Sequence, residues 1–263
     1  MILAASFDTG DINMWDNRAL MYGDGVFETM RCIKQQVPLW SWHQQRLQSS
    51  LAYLQIEPPE FKAIEQVIKE QTSENQVVLR LTVFRQQQKR GYQAHSQQSH
   101  WLISQYPYQA QDQPQILGLA NQRLSPQPLL KGLKHLNRLP QVLIANELVG
   151  QDVDDLLVLN QQDDVIETTC QNLLIVNDNQ IYTPDLQHCG VEGVALTWLK
   201  QQLSVKTKKL KLVDIRKADA MMTSNAVHGF RVVRGIKSQA TFKNNQPICD
   251  RISSLWQQLI NSA

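Results

Sequence analysis

The sequence predicts an α+β fold in two lobes, and two observations lead to this prediction. Segments with the alternation typical of strands are interspersed along the 263 residues with segments whose apolar residues recur at helical spacing. A polar stretch with a proline, Gln109–Gln115, interrupts this pattern and is the predicted linker. The predicted domains are an N-terminal lobe over residues 1–108, the linker over 109–115 and a C-terminal lobe over 116–263.

The first lobe is predicted to contain a strand pair, two helices and two further strands. Val26–Arg31 and Val37–Trp40 have the pattern of a hairpin or of two neighbouring strands. Ser41 is a suitable N-cap for a helix that runs to about Gln55 and ends before Pro58-Pro59. The remaining predicted elements are a helix at Glu60–Gln71 and strands at Gln76–Arg85 and Trp101–Tyr108.

The second lobe is predicted to hold strands and helices around a proline-rich loop at Ser125–Lys131. Pro140 is tolerated in the helix predicted over Asn137–Val149, because it falls in the first turn. The other predicted helices are Glu192–Leu203, Lys217–Met222 and Ile248–Asn261. The predicted strands are Ile116–Leu124, Leu156–Asn160, Val165–Val176, Gln180–Thr183, Leu210–Ile215 and Phe230–Ile236.

Composition and charge exclude several function classes. With 42% hydrophobic and 19% charged residues the chain is globular, and a net charge of +2 argues against a dedicated nucleic-acid-binding protein. The basic run Lys206–Lys211 fits a solvated strand edge. The sequence shows no signal-peptide pattern and no membrane-spanning apolar run, and its four cysteines lack zinc or disulfide spacing. We therefore expect a cytoplasmic protein with no metal site, which binds neither nucleic acid nor membrane.

Four motifs contain residue types that can perform chemistry. Tyr22-Gly-Asp-Gly25 precedes a strand and permits a tight turn. His43 and Arg46 share one helix face, where a guanidinium can bind a phosphate through two parallel hydrogen bonds. Lys134 lies between apolar neighbours before a helix, where an amine removed from water becomes a nucleophile and base. Glu167 is a single acid in an apolar strand and needs a partner if it is buried.

Each motif alone also fits an ordinary turn or a solvent-exposed charge, but together they match the needs of one cofactor. Pyridoxal phosphate requires a lysine for its aldehyde, an acid for its pyridine nitrogen and an anion site for its phosphate. The anion site typically uses an arginine and a helix N-terminus. Lys134 and Glu167 meet the first two needs, and Arg46 together with the helix start at Gly190–Ala195 meets the third.

The motifs resemble those of fold-type IV pyridoxal-phosphate enzymes, the class of the branched-chain and D-amino-acid aminotransferases. The resemblance extends over nearly the whole chain, and Lys134–Leu139 is most similar to the aminodeoxychorismate lyase branch. The segments that carry it are Asp16–Arg18, Tyr22–Phe27, His43–Leu47, Arg90–Tyr92, Lys134–Leu139, Glu167–Leu173, Thr223–Ala226 and Val232–Val233. It implies the two-lobed fold-type IV architecture, pyridoxal 5'-phosphate as cofactor, and a homodimer.

The resemblance also implies a role for each matching position. Lys134 would form the Schiff base with the cofactor and act as the catalytic base, and Glu167 would face the pyridine nitrogen. The residues implied to hold the phosphate are Arg46, Val194, Ala195, Ser224 and Asn225. The candidates for contact with the substrate are Thr29, Arg90 and Tyr92. Because Ala195 and Leu196 lack the threonine and arginine of many relatives, phosphate binding there would depend on backbone N–H groups.

The implied reaction converts 4-amino-4-deoxychorismate to 4-aminobenzoate and pyruvate in folate biosynthesis. One alternative is a pyridoxal-phosphate aminotransferase for small amino acids, either branched-chain or D-amino acids. Phe27 lacks the hydroxyl with which D-amino-acid aminotransferases hold a carboxylate, and the Arg-x-His pair of those enzymes is also missing. A second alternative is a non-enzymatic binding protein that uses Lys206–Lys211, and salt-dependent nucleic-acid binding without cofactor would favour it.

Overall fold

A computed structural model describes residues 1–11, 16–72, 75–86, 90–243 and 245–262. These residues form two compact units. The first contains Met1–Gln109 and Leu133–Asn137, and the second contains Ala110–Gly132 and Arg138–Ser262. Lys134 therefore packs with the first unit, whereas the predicted boundaries assign it to the second lobe; those boundaries stay a prediction. Across the described ranges, no helix has both the length and the apolar character that crossing a membrane requires.

The first unit is a four-stranded antiparallel sheet with two helices packed on one face. Its elements are β1 (Ile2–Ala5), α1 (Arg18–Tyr22), β2 (Gly25–Ile33), α2 (Trp40–Tyr53), α3 (Phe61–Gln71), β3 (Gln76–Arg85) and β4 (Ser99–Pro107). The strand order is β1-β4-β3-β2. Alternate residues of β2 and β3, such as Met30 and Leu79, form the core with Leu47 and Ile64 of the helices. The opposite sheet face is half-buried and more polar, as the intermediate exposure of Thr29 illustrates.

The predicted hairpin partner of β2 was wrong. Val37–Trp40 is not a strand, because Leu39 adopts a left-handed φ of 61° and Trp40 begins α2. β2 instead pairs along its whole length with β3, which is more than 40 residues away in the sequence. A pairing between such distant segments is not visible in local alternation.

The second unit is built on a nine-stranded mixed sheet. Its order is β10-β9-β8-β11-β12-β5-β6-β7, with β13 paired to β12. The strands are β5 (Gln115–Leu124), β6 (Asp155–Asn160), β7 (Val165–Thr168), β8 (Asn172–Asn177), β9 (Gln180–Pro184), β10 (Val205–Lys208), β11 (Ala220–Asn225), β12 (Gly229–Ile236) and β13 (Ala240–Thr241). The helices are α4 (Leu139–Ala145), α5 (Val194–Gln202), α6 (Leu212–Arg216) and α7 (Pro247–Asn261), and a 3-10 turn covers Asn146–Leu148.

Three predicted elements of this unit were wrong. Val165–Val176 is not one strand, because the turn at 169–171 separates β7 from β8. Leu210–Ile215 was predicted as a strand, but Asp214 accepts a hydrogen bond from the Lys211 N–H at 2.8 Å and caps the helix α6. Lys217–Met222 was predicted as a helix, but its second half begins β11, which pairs with β8 and β12. Burial between two strands there outweighs the helix propensity of alanine and methionine.

Candidate active site

The segment Lys134–Leu136 is held in extended form against the start of β2. The Phe27 N–H donates to the Lys134 carbonyl at 2.9 Å, and the Leu136 N–H donates to the Gly25 carbonyl at 3.0 Å. Between these bonds, Val26 and His135 form an antiparallel bridge. The Lys134 Nζ lies 4.6 Å from the centre of the Phe27 ring. The lysine is therefore fixed and half-buried beside an aromatic face, rather than exposed at the end of a loop.

The two glycines of the Tyr22–Gly25 motif permit this docking. Gly23 has a φ of 64°, and a Cβ there would lie 2.5 Å from the Asn137 Oδ1. The Asn137 Nδ2 donates to the Gly23 carbonyl at 3.0 Å, which ties the end of the lysine segment to α1. At Gly25, a Cβ would lie 2.5 Å from the Val83 carbonyl oxygen of β3. Close backbone approach thus requires both glycines, so the motif is more than an ordinary turn.

Arg46 and His43 on α2 both pair with Glu28, a buried acid on β2. The Arg46 Nε donates to Oε1 at 2.7 Å and its Nη2 donates to Oε2 at 2.5 Å. The His43 Nδ1 lies 2.7 Å from the same Oε2. Burial alone would raise the pKa of Glu28, but Arg46 and His43 outweigh it and lower the pKa to about 2. Glu28 is therefore a carboxylate that orients the Arg46 guanidinium.

His43 is neutral in this cluster. Burial lowers its pKa, Glu28 raises it, and the cations Arg46 and Lys134 lower it further, with a net lowering. A neutral ring that faces a carboxylate donates from Nδ1, which leaves Nε2 as an acceptor. This Nε2 is buried and has no hydrogen-bond partner within the described ranges.

In the second unit, β7 and β8 hold the loop that leads into α5. Glu167 on β7 is 8% exposed, and its Oε2 accepts a hydrogen bond from the Val191 N–H at 3.2 Å. The Asn172 side chain on β8 donates to the Val191 carbonyl at 2.8 Å and accepts from the Gly193 N–H at 2.7 Å. Gly193 is the N-cap of α5, so Val194 and Ala195 begin a helix whose first N–H groups have no acceptor inside it.

Ser224 on β11 lies beside this helix start. It pairs with Asn172 across the β8–β11 ladder, and Asn172 in turn binds the N-cap of α5. The Ser224 Oγ is buried, and the described part of the chain offers it no hydrogen-bond partner. Such a hydroxyl near unpaired helical N–H groups suits an anion. The neighbouring Asn225 is engaged differently, because its Oδ1 accepts from the N–H groups of the turn at residues 227 and 228.

The candidate substrate loop Arg90–Tyr92 is anchored on α1. Arg18 donates from Nη1 to the Gly91 carbonyl at 2.9 Å and from Nη2 to the Tyr92 carbonyl at 3.0 Å. The Gly91 N–H donates to the Tyr22 hydroxyl at 3.0 Å. The loop backbone is thereby fixed, while the side chains of Arg90 and Tyr92 are exposed.

Two residues of these clusters, Glu28 and Arg80, were not predicted from the sequence. Glu28 is the only acid of its strand, as Glu167 is of β7, so the same signal would have found it. Arg80 is opposite Thr29 in the β2–β3 pair, and its Cζ lies 4.0 Å from the centre of the Phe27 ring. No sequence signal marks Arg80, because its place beside Phe27 depends on the register of two distant strands.

The basic run Lys206–Lys211 is partly neutralised by ion pairs. Lys208 on β10 pairs with Asp214 at 3.2 Å, and Lys211 pairs with Asp164 at 2.8 Å. This weakens the alternative of a nucleic-acid-binding protein. Over the described ranges, no three His, Cys, Asp or Glu side chains are grouped in a way that could hold a metal ion.

The comparisons with known proteins agree with one another. The model of the family Amino-transferase class IV matches residues 25–236. The aminodeoxychorismate lyase of Vibrio harveyi is 32% identical over 234 residues, which cover 84% of this chain and 86% of that protein. The 4-amino-4-deoxychorismate lyase structure from Pseudomonas aeruginosa has a TM-score of 0.86 at 27% identity, over 97% of this chain and 98% of its own. A branched-chain aminotransferase from Thermoproteus uzoniensis reaches a TM-score of 0.82 at 16% identity, over 95% and 90%, which shows the shared fold alone. The predicted fold-type IV, α+β architecture is confirmed.

Proposed function

Because this chain belongs to the Amino-transferase class IV family, we propose that it is a pyridoxal-phosphate-dependent aminodeoxychorismate lyase. It converts 4-amino-4-deoxychorismate to 4-aminobenzoate and pyruvate, a step of folate biosynthesis. The observation that carries the proposal is the similarity to lyases of this kind over nearly the full length of both chains. The geometry within each unit supports it: Lys134 is fixed against β2 in the first unit, and in the second unit Glu167 is buried and Ser224 lies beside the start of α5.

The described residues fit the cofactor. The buried Ser224 hydroxyl and the first N–H groups of α5, at Val194 and Ala195, offer donors to a phosphate. The Arg46 guanidinium, which Glu28 orients, and the backbone at Asn225 would also bind the phosphate. Lys134 would hold the cofactor aldehyde, and Glu167 would keep the pyridine nitrogen protonated. When bound, pyridoxal phosphate withdraws electrons from the carbon that bears the substrate amine.

Lys134 is the proposed proton carrier. Its Nζ takes the proton from the ring carbon that bears the substrate amine, and the electrons of that C–H bond form a new double bond in the ring. The adjacent C–O bond breaks, its electron pair leaves with oxygen, and Lys134 returns a proton to the departing enolpyruvyl group. The ring becomes aromatic, which makes the step strongly favourable. One substrate molecule yields one 4-aminobenzoate and one pyruvate without another reactant.

Thr29, Arg90 and Tyr92 are the proposed substrate contacts from the sequence. Thr29 lies on the half-buried face of β2 and offers a hydroxyl, and the anchored loop presents the side chains of Arg90 and Tyr92. A substrate with two carboxylates requires cationic partners.

We also propose a cytoplasmic homodimer. None of the four cysteines, which all lie within the described ranges, forms a disulfide, as is usual in a reducing compartment. Large apolar side chains are exposed on and just after α4, which favours coverage by a second copy. They are Leu139, Val142, Leu143 and Val149. Light scattering of the purified protein would test the dimer.

The decisive experiment separates the lyase from the aminotransferase alternative. The enzyme, loaded with pyridoxal phosphate, is incubated with aminodeoxychorismate and no keto acid, and both products are quantified over many turnovers. A lyase forms equal amounts of pyruvate and 4-aminobenzoate continuously. An aminotransferase stops after one turnover, because the amine stays with the cofactor until a keto acid removes it. Such a stop would overturn the lyase proposal.

A further inference from the structure

We propose that Asp155 is a positioning residue of the cofactor site, because it holds the turn that carries Glu167 on one side and Asn172 on the other. The inference rests on the proposed roles of Glu167 and of the start of α5, and it adds a residue outside the motifs that resemble the family. It follows from the hydrogen bonds of the Asp155 carboxyl group, from the way the turn is closed and from the short ladder of β7.

The Asp155 carboxyl group accepts hydrogen bonds from three consecutive residues of the turn at 169–171. Asp155 begins β6 and is 3% exposed. Its Oδ1 accepts from the Thr169 N–H at 3.2 Å and from the Thr169 hydroxyl at 2.6 Å. Its Oδ2 accepts from the Gln171 Nε2 at 3.0 Å and from the Cys170 thiol at 3.7 Å. Because a buried carboxyl group needs such donors, the turn and Asp155 depend on each other.

The turn joins the two side chains that hold the loop into α5. The Thr168 N–H donates to the Gln171 carbonyl at 2.8 Å, and the Gln171 N–H donates to the Thr168 hydroxyl at 3.0 Å. Glu167 directly precedes Thr168, and Asn172 directly follows Gln171. A shift of this turn relative to β6 would therefore move two groups together, the proposed partner of the pyridine nitrogen and the side chain that binds the N-cap of α5.

The ladder of β7 ends next to Glu167. β7 is four residues long and is the last strand in the order of its sheet, beside β6. At its first residue, the Val165 N–H donates to the Leu210 carbonyl at 2.7 Å. At its other end, the ladder with β6 finishes at the pair of Leu157 and Thr168. Asp155 precedes Leu157 on β6, so its bonds to the turn continue the attachment of β7 beyond the ladder.

The position of Glu167 matters for chemistry, because a hydrogen bond weakens steeply as its angle departs from linearity. A group in a working site must stay within about 0.5 Å of its productive geometry, and supporting residues provide this precision. A positioning role predicts that loss of the Asp155 bonds lowers the fraction of bound cofactor whose pyridine nitrogen is protonated, although Glu167 is still present. A role in fold stability alone predicts unchanged protonation in the folded protein.

Asp155→Ala tests the proposal, together with the milder Thr169→Val, which removes only the bond from the Thr169 hydroxyl. Each variant is loaded with pyridoxal phosphate that is isotopically labelled at the ring nitrogen, and the chemical shift of this nitrogen is measured by NMR. Both variants should move the shift toward that of the unprotonated ring, as Glu167→Gln should. The kcat of Asp155→Ala should fall roughly 10- to 100-fold. Asp155→Glu keeps a carboxyl group and should recover part of both losses.

Thr223→Val is the matched control. It removes a buried hydroxyl that bonds to the Gln171 side chain but leaves the bonds between Asp155 and the turn. It should therefore lower stability without moving the ring-nitrogen shift.

The NMR measurement requires no turnover, so a wild type that forms no 4-aminobenzoate refutes the lyase alone, and the shift still decides about Asp155. A shift that moves in Glu167→Gln but in neither Asp155→Ala nor Thr169→Val would overturn the positioning role. An equal change in Thr223→Val would overturn it as well. A shift that moves in none of the variants would refute the role of Glu167 and this inference with it.

Discussion

The Glu28 carboxylate accepts two hydrogen bonds from the Arg46 guanidinium, at 2.7 and 2.5 Å, from a position that is 1% exposed. Two parallel bonds fix the plane of the guanidinium as well as its position. His43 approaches the same carboxylate, so the fold places three titratable groups in one buried cluster. The proposed phosphate residue Arg46 is therefore oriented by the Glu28 carboxylate.

Glu28→Gln is expected to destabilise the protein at neutral pH and to remove part of its acid sensitivity. The folded pKa of about 2 lies below the ordinary value of 4.5. The pair therefore stabilises the fold above pH 4.5, and this contribution disappears as pH falls toward 2. The shift corresponds to roughly 3 kcal/mol. Urea unfolding at pH 7, 4 and 3 measures it, with exposed Glu70→Gln as a control expected to change stability by less than about 0.5 kcal/mol. Equal acid sensitivity in wild type and Glu28→Gln would contradict the pairing.

The sequence predicts that His43 and Arg46 lie together, but it does not predict their partner Glu28. His43 and Arg46 are close in sequence, so helical spacing alone places them on one face. Their contact with Glu28 depends on how α2 packs on β2, which no local pattern encodes. Dependence on distant contacts also explains the wrong prediction around Met221. A helix was predicted there, but the segment pairs with β8 and β12 and forms the strand β11. By contrast, β3 and α7 were predicted within a residue, because their own periodicity determines them.

Borohydride reduction of the loaded enzyme should attach the cofactor to Lys134 and not to Lys131. Lys134 is docked on β2 through backbone hydrogen bonds, whereas Lys131 is exposed before Gly132. Peptide mass spectrometry identifies the modified residue. Lys134→Ala should abolish turnover and the visible absorbance band of the bound cofactor, and Lys131→Ala should retain both. Label on Lys131 would show that the wrong lysine has been assigned.

Glu167→Gln should reduce turnover more than it weakens cofactor binding. The Gln side chain can still accept the Val191 N–H, so the loop into α5 keeps its geometry. The charge that would keep the pyridine nitrogen protonated is lost, which we expect to lower kcat roughly 10- to 100-fold. Affinity for pyridoxal phosphate should change less than kcat, because the phosphate contacts remain. Glu192→Gln removes a nearby acid that pairs with Lys200 and should leave kcat near wild type. Wild-type turnover in Glu167→Gln would show that Glu167 does not have the proposed role.

Ser224→Ala should have opposite effects on the cofactor-free protein and on cofactor binding. The Ser224 Oγ is buried without a partner in the part of the chain that the structure describes, so its removal should leave the cofactor-free protein equally stable or up to about 1–3 kcal/mol more stable in urea unfolding. If this hydroxyl binds phosphate, the same change should weaken the binding of pyridoxal phosphate roughly tenfold. The binding of pyridoxal, which lacks the phosphate, should be unaffected. The neighbouring Thr223 is the matched control, because its buried hydroxyl is hydrogen-bonded to the side chains of Gln115 and Gln171. Thr223→Val should therefore destabilise the cofactor-free protein and leave the ratio of the two affinities unchanged. Equal destabilisation by both changes would mean that the Ser224 hydroxyl serves the fold and not the phosphate.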